Sequence, residues 1–433
     1  MPGARCGALS VDLSNVAFRM RILVDPSAYD CSNLGDVAML QAAVVRLQRL
    51  WPEADVRVIT AVPDLLAQHC PGTTPVSAAA RNAWSGSHWP NRARRITAAA
   101  EPRLAAVERA VRHWRARDGG VDAFEQELRR ADAIVLSGGG GTTDYFPWET
   151  HAALDLFDAA TRREITTGIL GQGFGPLRGR YLRRRAAAVL PRVDLITLRE
   201  RRSSAPLLRE LGVASDRVVT TGDDAIELVA KRRGAGDANG LGVCVRVSDY
   251  SGVAENQVRT LGRVLAAVST RLNAELVPIP ISAHPDERDL DAIREVLGAR
   301  GEDAADGAID TPRAAIDRAA RCRVVVTGSY HAGVFALAQG VPAIGLAASS
   351  YYVDKFLGLR DQFGEGCTAV MLDADDLAGA LEAAIEEAWA QEPGVRAQLV
   401  AAGERQLEEG RAAYHRLFEI VESARARNPR ERT

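Results

Sequence analysis

The chain has 433 residues, 47% hydrophobic and 25% charged, with a formal net charge of −2. That length exceeds one ordinary core and calls for two domains, and so balanced a charge excludes a global basic field for nucleic acid or an anionic membrane. No apolar run reaches the roughly 18 residues of a membrane helix, and the N-terminus lacks a signal-peptide pattern. The six cysteines (Cys6, Cys31, Cys70, Cys244, Cys322 and Cys367) show no CxxC and no metal-ligand spacing, so they read as reduced thiols of a cytoplasmic, metal-free protein.

Residues 1–20 carry no periodic element and read as a loose tail. Beyond them, short apolar runs alternate with amphipathic stretches, the order of parallel sheets with crossover helices. Strands are predicted at 21–25, 55–60, 132–137, 166–171, 193–198 and 216–220, with helices at 36–50, 150–162, 179–190 and 201–212. An insertion over 75–128, rich in Ala and Arg and carrying Trp84, Trp89 and Trp114, reads as mostly helical. The polar, glycine-rich segment 231–240 reads as an interdomain linker. A second series of strands follows at 241–247, 274–279, 322–327, 342–346 and 367–371, then helices at 374–390 and 394–426. The fold class is α/β, with two Rossmann-like domains (21–230 and 241–400) facing a cleft and a C-terminal helix and tail over 401–433. Neither half shows GxGxxG on its first strand, so no nicotinamide cofactor is expected.

Open α/β sheets bind ligands at the carboxyl ends of their strands, and the polar residues at those ends are the candidates. His331 lies between the strand ending at Thr327-Gly328 and a short helix, where free amides and the helix dipole favour a phosphate or carboxylate; the alternative is a buried histidine in a capping segment. Asn33 and Asp36, flanking Gly35, are placed either to bind a hydroxyl or to cap the next helix. The run Gly138-Gly139-Gly140-Gly141 suggests an anion nest of backbone amides. Gln172 sits in a second glycine-rich strand end, Gly171-Gln172-Gly173. Arg199 closes the next strand, where its guanidinium suits a carboxylate or phosphate unless Glu200 neutralises it. Asp223 and Asp224 are each able to accept a proton or to cap a turn. His284 occupies the strand-end layer of the second half, and Lys355, one of only two lysines with Lys231, is placed either to neutralise an anion or to pair with Asp354.

Taken in order, Asn33-Leu34-Gly35-Asp36, the glycines 138–141, Gly171 to Pro176, Leu198-Arg199-Glu200 with Ser203, Gly222-Asp223-Asp224, and Tyr330-His331-Ala332 with Gly340-Val341-Pro342 and Lys355 make the chain resemble the polysaccharide pyruvyl transferase family over residues 21–400. The resemblance implies a GT-B-like architecture and transfer of the enolpyruvyl unit of phosphoenolpyruvate to a sugar, often with closure of a pyruvate ketal across two hydroxyls. It implies no cofactor beyond that donor, and a small-molecule or glycan acceptor.

In that frame His331 is the general acid or phosphate partner, and Asp36 or Asp223 binds or deprotonates the acceptor hydroxyl. Arg199 is an anion clamp and Lys355 a second one. Asn33, Gly35, Gly138 to Gly141, Gln172, His284, Ser329 and Tyr330 complete the substrate-binding set. One position departs from the family pattern: Ser329 stands where an arginine is common. Two other readings follow from the same architecture, a glycosyltransferase or epimerase using a nucleotide sugar and a non-catalytic carbohydrate-binding descendant.

Overall fold

The computed structural model describes residues 19–85, 119–229, 238–246, 255–284, 289–298 and 309–427. Most of the expected tail, insertion and linker, with Trp89 and Trp114, lies outside the described residues.

Continuous apolar runs become parallel strands because helices cover both faces of such a sheet and leave no exposed side for polar alternation. From the N-terminus, β1 (Arg21–Asp25) leads through α1 (Leu34–Leu50) to β2 (Asp55–Thr60), then α2 (Pro63–His69), β3 (Thr74–Ser77) and α3 (Ala78–Ser85). The chain continues with α4 (Gly119–Arg130), β4 (Ala133–Leu136), β5 (Gly139–Thr142), α5 (Pro147–Arg162), β6 (Thr166–Phe174) and α6 (Arg180–Val189). The half closes with β7 (Leu195–Leu198), α7 (Ser204–Glu210), β8 (Val218–Thr220) and α8 (Ile226–Val229). These strands form one parallel sheet in the order β3-β2-β1-β4-β6-β7-β8, with β5 also paired to β6.

The second half runs β9 (Gly240–Cys244), α9 (Glu255–Leu272), β10 (Glu275–Pro278), α10 (Asp289–Leu297), α11 (Pro312–Ala319), β11 (Cys322–Thr327) and α12 (Tyr330–Leu337). It ends with β12 (Ala343–Ala347), α13 (Ser350–Phe363), β13 (Cys367–Met371) and α14 (Leu377–Arg427). Its sheet is parallel in the order β10-β9-β11-β12-β13. In each sheet the strand order therefore reverses near the centre, between β1 and β4 in one and between β9 and β11 in the other. Ligand crevices open at such switch points.

The two helices expected at 374–390 and 394–426 are one, with Pro393 inside it. A proline lacks the N–H that would bond the carbonyl four residues back. Here that carbonyl, of Trp389, accepts from Arg323 Nε at 3.1 Å, so the helix continues. Its later turns leave the second sheet and pack on the first: Trp51 Nε1 donates to Glu422 Oε1 at 2.7 Å, and the Trp51 and Phe418 rings lie 5.0 Å apart. From Tyr414 on the helix is thus part of the N-terminal core, with Tyr414, Leu417 and Val421 buried among Ile22, Val24 and Leu170, whereas Ala402 and Leu407 still pack with Val334 and Phe335 of α12.

The halves also meet directly. Leu34, Ala38 and Met39 of α1 and Ile226 of α8 share an apolar cluster with Val334 and Phe335 of α12. Two backbone bonds cross the gap, Leu34 N to Ile281 O at 2.8 Å and Ala283 N to Ser32 O at 2.7 Å. Among the described residues no helix is long and apolar enough to cross a membrane, and no group of three or more His, Cys, Asp and Glu is arranged to hold a metal ion.

Candidate functional site

Both switch points open onto the same place. On the N-terminal side, Asn33 caps α1: its Oδ1 accepts from Gly35 N at 3.0 Å and Asp36 N at 3.4 Å. The capping reading of Asn33 therefore describes its side chain. The cap starts the helix so that Gly35 lies bare against the other domain, and the His331 ring rests on it. A Cβ at 35 would stand 1.9 Å from His331 Nδ1. Asp36, half-buried in the first turn, has no hydrogen-bond partner for its carboxylate among the described residues. Burial pushes its pKa up, only partly opposed by the charges of His331, Arg199 and Arg246.

His331 belongs to the first turn of α12. The chain is turned into that helix by Thr327, whose Oγ1 accepts from Ser329 N at 2.8 Å and donates to Ser329 O at 2.9 Å. The His331 side chain, 6% exposed, sends Nε2 to 3.4 Å from Met39 Sδ and 3.6 Å from Asp223 Oδ2. The latter is an ion-pair distance just beyond hydrogen-bond reach, and Oδ2 keeps no hydrogen-bond partner. Asp223 Oδ1 accepts from Ala225 N at 2.9 Å. Burial alone would raise the Asp223 pKa, but the neighbouring His331 ring, the Arg199 charge and the Ala225 amide together hold it below the usual carboxylate value. Asp224 points away, into a buried network with Arg46 Nη1 at 2.5 Å and Tyr414 Oη at 2.9 Å. Of the two aspartates, Asp223 faces the cleft and Asp224 holds the fold.

Arg199 ends β7, 4% exposed, with its guanidinium 4.2 Å over the Tyr330 ring. Its Nε has no hydrogen-bond partner and it forms no ion pair with a carboxylate among the described residues. The expected alternative partner, Glu200, is occupied instead by α7: it accepts from Ser203 N at 3.0 Å, Ser204 N at 3.1 Å and both serine hydroxyls. Burial would lower the Arg199 pKa, yet Tyr330, Asp223, Tyr351 and Asp36 around it raise it. The surrounding groups thus outweigh the burial, yet no carboxylate among the described residues bonds the guanidinium, which leaves it available to an incoming anion. Tyr330 Oη is likewise buried without a partner.

The glycine run corrects an expectation. Residues 139–142 are strand β5, and none of Gly138, Gly139, Gly140 or Gly141 has the left-handed φ that a nest alternates. Their lack of side chains serves to admit others: a Cβ at 138, 139 or 140 would stand 1.8 Å from Met39 Cε, 1.7 Å from Ser27 Oγ or 2.4 Å from Arg199 Nη2. Only at Gly141 is there open space, with nothing within 4 Å. Gln172, on the adjoining strand, donates from Nε2 to Thr142 Oγ1 at 3.0 Å and leaves Oε1 buried and unbonded.

Lys355 does not pair with Asp354; its Nζ sits 4.0 Å over the Tyr351 ring and 5.0 Å from that of Tyr352. Tyr351 stacks in turn on Tyr145 of the other domain, ring centres 4.7 Å apart. Burial, together with Tyr145 and Asp36 and against Arg199, pushes the Tyr351 phenol up to about 12. His284 follows the interdomain backbone bonds, with its amide on Ser282 Oγ at 3.3 Å. That places its backbone beside the domain contact.

A model of polysaccharide pyruvyl transferases matches residues 33–350, most of the chain, from Asn33 through the His331 cluster, and ends just before Tyr351 and Lys355. The chain belongs to the polysaccharide pyruvyl transferase family. No curated protein matches this transferase in sequence. In three dimensions it is similar to UDP-GlcNAc 2-epimerase from Neisseria meningitidis bound to UDP-GlcNAc (TM-score 0.54, 12% identity, 95% of this chain and 100% of the other). It is also similar to HepE of Anabaena in complex with UDP (0.53, 15%, 93% and 100%) and to the calicheamicin glycosyltransferase CalG4 (0.50, 15%, 95% and 100%). At such identities the likeness shows a shared GT-B-like fold.

Several residues at or near the candidate site went unrecognised in the sequence. Met39 lies under His331, and Tyr145 and Tyr351 bridge the domains beside Lys355. Arg246, two residues beyond β9, donates from Nε and Nη2 to Asp289 at 3.0 and 3.1 Å. Its signal was available, an arginine closing a buried strand as Arg199 does. Ser329 is 2% exposed, and its main chain is bound into the Thr327 turn.

Proposed function

We propose that this transferase moves the pyruvyl unit of phosphoenolpyruvate onto a sugar, closing a ketal where two hydroxyls are in reach. The observation that supports it best is Arg199, a buried guanidinium without a carboxylate, beside the His331–Asp223 pair and Asp36. A donor bearing a phosphate and a carboxylate supplies the anion that Arg199 lacks.

The chemistry needs C3 of the enol protonated, C2 attacked by a hydroxyl oxygen, and the C2–O bond to phosphate broken. His331 gives its proton to C3, making the methyl group, and Asp223 steadies the imidazolium before transfer. Asp36 takes the proton of the attacking hydroxyl; its raised pKa makes it a better base than an ordinary aspartate. Phosphate departs with the C2–O electron pair, and the second hydroxyl adds to C2. One hydroxyl proton thus ends on C3 and the other on phosphate. Arg199 meets charge on the donor throughout, in a site too buried for water to screen it. Acceptor and donor enter between the domains, where Gly141 leaves open space.

The readout is a donor screen: phosphate released from phosphoenolpyruvate, with the product's mass rising by the pyruvyl ketal, against nucleotide released from UDP- and GDP-sugars. Turnover of a nucleotide sugar and none of phosphoenolpyruvate would establish the second reading. That reading is favoured by the UDP and UDP-GlcNAc held by the similar structures from Anabaena and Neisseria. Binding of glycans with turnover of neither donor would leave the non-catalytic one.

A further inference from the structure

The Arg199 guanidinium makes no hydrogen bond among the described residues. What surrounds it is shape. The Tyr330 ring lies 4.2 Å from its Cζ, and the bare backbones of Gly140 and Gly173 lie so close that a Cβ there would stand 2.4 Å from Nη2 or 2.7 Å from Nε. A long, flexible side chain with no bond of its own is aimed by where its main chain stands. Both main-chain polar groups of Arg199 are pinned. Its N–H donates to Gln172 O at 3.2 Å within its own sheet, and its carbonyl accepts from Gln362 Nε2, which belongs to the other domain.

Gln362 lies in the last turn of α13, and two further contacts seat that end of the helix on the turn after β7. Gly358 has no side chain to hold it off Glu200; a Cβ there would stand 3.0 Å from Glu200 Cβ. Arg202 donates from Nε and Nη2 to Asp361 at 2.9 and 2.8 Å. The first turn of α13 also reaches the N-terminal domain, through Tyr351 on Tyr145. From Tyr351 to Gln362 the helix rises about 16 Å, so α13 spans from the loop after β5 to the turn after β7. Between these ends Phe356 and Leu359 share an apolar cluster with Tyr330, and Leu359 Cδ1 would stand 3.3 Å from a Cβ on Gly333 of α12. One helix therefore bonds the main chain of Arg199 and packs against the helix whose tyrosine the guanidinium rests on.

We infer, resting on the proposed role of Arg199 as the donor's anion contact, that Gln362 is a positioning residue of the anion site. Its amide sets the direction of Arg199 from the opposite domain, so the contact for the donor's charged group is complete only while α13 lies on the β7 turn. The Arg202–Asp361 pair is exposed, and such pairs contribute little. Within that contact it is the Gln362 amide that bonds the residue meeting the donor.

The test is calorimetric titration of the full-length protein with phosphoenolpyruvate, for wild type, Gln362→Met, Gln362→Ala and Arg202→Ala, with thermal melting of each. Methionine keeps the length of the side chain and removes the amide. The expected result is affinity weakened about fivefold in both Gln362 variants, the scale of one hydrogen bond, with the melting temperature held. In phosphate release the donor KM should rise while kcat holds, whereas a merely structural loss would lower kcat. Arg202→Ala loosens the same contact without touching Arg199 and should bind as wild type does. Wild-type affinity in a folded Gln362 variant overturns the inference and leaves the proposed donor standing, and so does an equal loss in Arg202→Ala. If wild type binds no phosphoenolpyruvate, the proposed donor fails first, and UDP titrated into the same variants decides the inference alone: weaker binding confined to the Gln362 variants supports it, and any other result overturns it.

Discussion

Gly35 and His331 come from opposite domains and occupy one position between them: the imidazole lies where the side chain of any other residue at 35 would have to go. Gly35→Ala therefore tests the site without touching a functional group. Alanine is favoured over glycine in a helix by about 1 kcal/mol, which offsets part of the roughly 1–3 kcal/mol that such a clash costs, so the melting temperature should fall by no more than a few degrees while the ring is pushed aside. Displacement of a catalytic group by about 1 Å costs on the order of a hundredfold in rate, and that loss is expected in phosphate release. Unchanged turnover would show that His331 need not sit there.

His331→Ala should abolish phosphate release, and Asp223→Asn should reduce it strongly, because the imidazolium then lacks the charge 3.6 Å from its Nε2. Both variants should melt within a few degrees of wild type. Full turnover in a folded His331→Ala enzyme would remove the proposed acid.

Asp36 gives a pH dependence of definite sign. Its folded pKa lies above the unfolded value, so the native state holds the proton more tightly, and stability falls as pH rises through that raised value. At neutral pH the carboxylate is a net cost. Asp36→Asn should raise the melting temperature at pH 7 and give no gain at pH 3, while turnover is lost. In wild type the rate should climb as Asp36 deprotonates, at a pH above the ordinary aspartate range, and this rising limb should vanish in the variant.

Glu227 carries the opposite sign. Wholly buried, it meets Arg411 at 2.7 Å and Arg46 at 3.1 Å. Burial would raise its pKa, but these arginines overcome that and hold it at about 2 against 4.5 in the unfolded chain. The associated stability is present above pH 4.5 and is lost as the pH falls toward 2. Glu227→Gln should cost roughly 3 kcal/mol in urea denaturation at pH 7, and the difference from wild type should shrink in acid.

Pro393 and Arg323 should be coupled. Arg323 Nε serves the Trp389 carbonyl that Pro393 leaves unbonded. In Pro393→Ala the helix supplies its own N–H, so Arg323→Ala should cost about 1 kcal/mol less there than in wild type. A double-mutant cycle of denaturation midpoints measures this; additive effects would mean that the carbonyl never depended on Arg323.

Buried parallel strands are uninterrupted apolar runs, and the strands predicted at 21–25, 55–60, 322–327 and 367–371 are found at the same residues. Strand β5 was invisible for the converse reason: glycines carry no hydrophobic pattern, and their purpose is set by Met39, Ser27 and Arg199, distant in sequence. The continuity of α14 depended on Arg323, seventy residues away from the proline it compensates. Strand-end position was enough to single out Arg199 and His331. It could not separate Asp223 from Asp224, since that choice is made by Arg46 and Tyr414 reaching one and His331 the other. Arg246 was legible by the rule that found Arg199.

Helix α14, at 51 residues and about 75 Å, carries the chain from the second sheet back to the first. Its first turns are buried with the C-terminal sheet and its last turns with the N-terminal one. One continuous rod is thus anchored in both cores, so any motion that separates Gly35 from His331 has to bend this helix or unpack one of its ends.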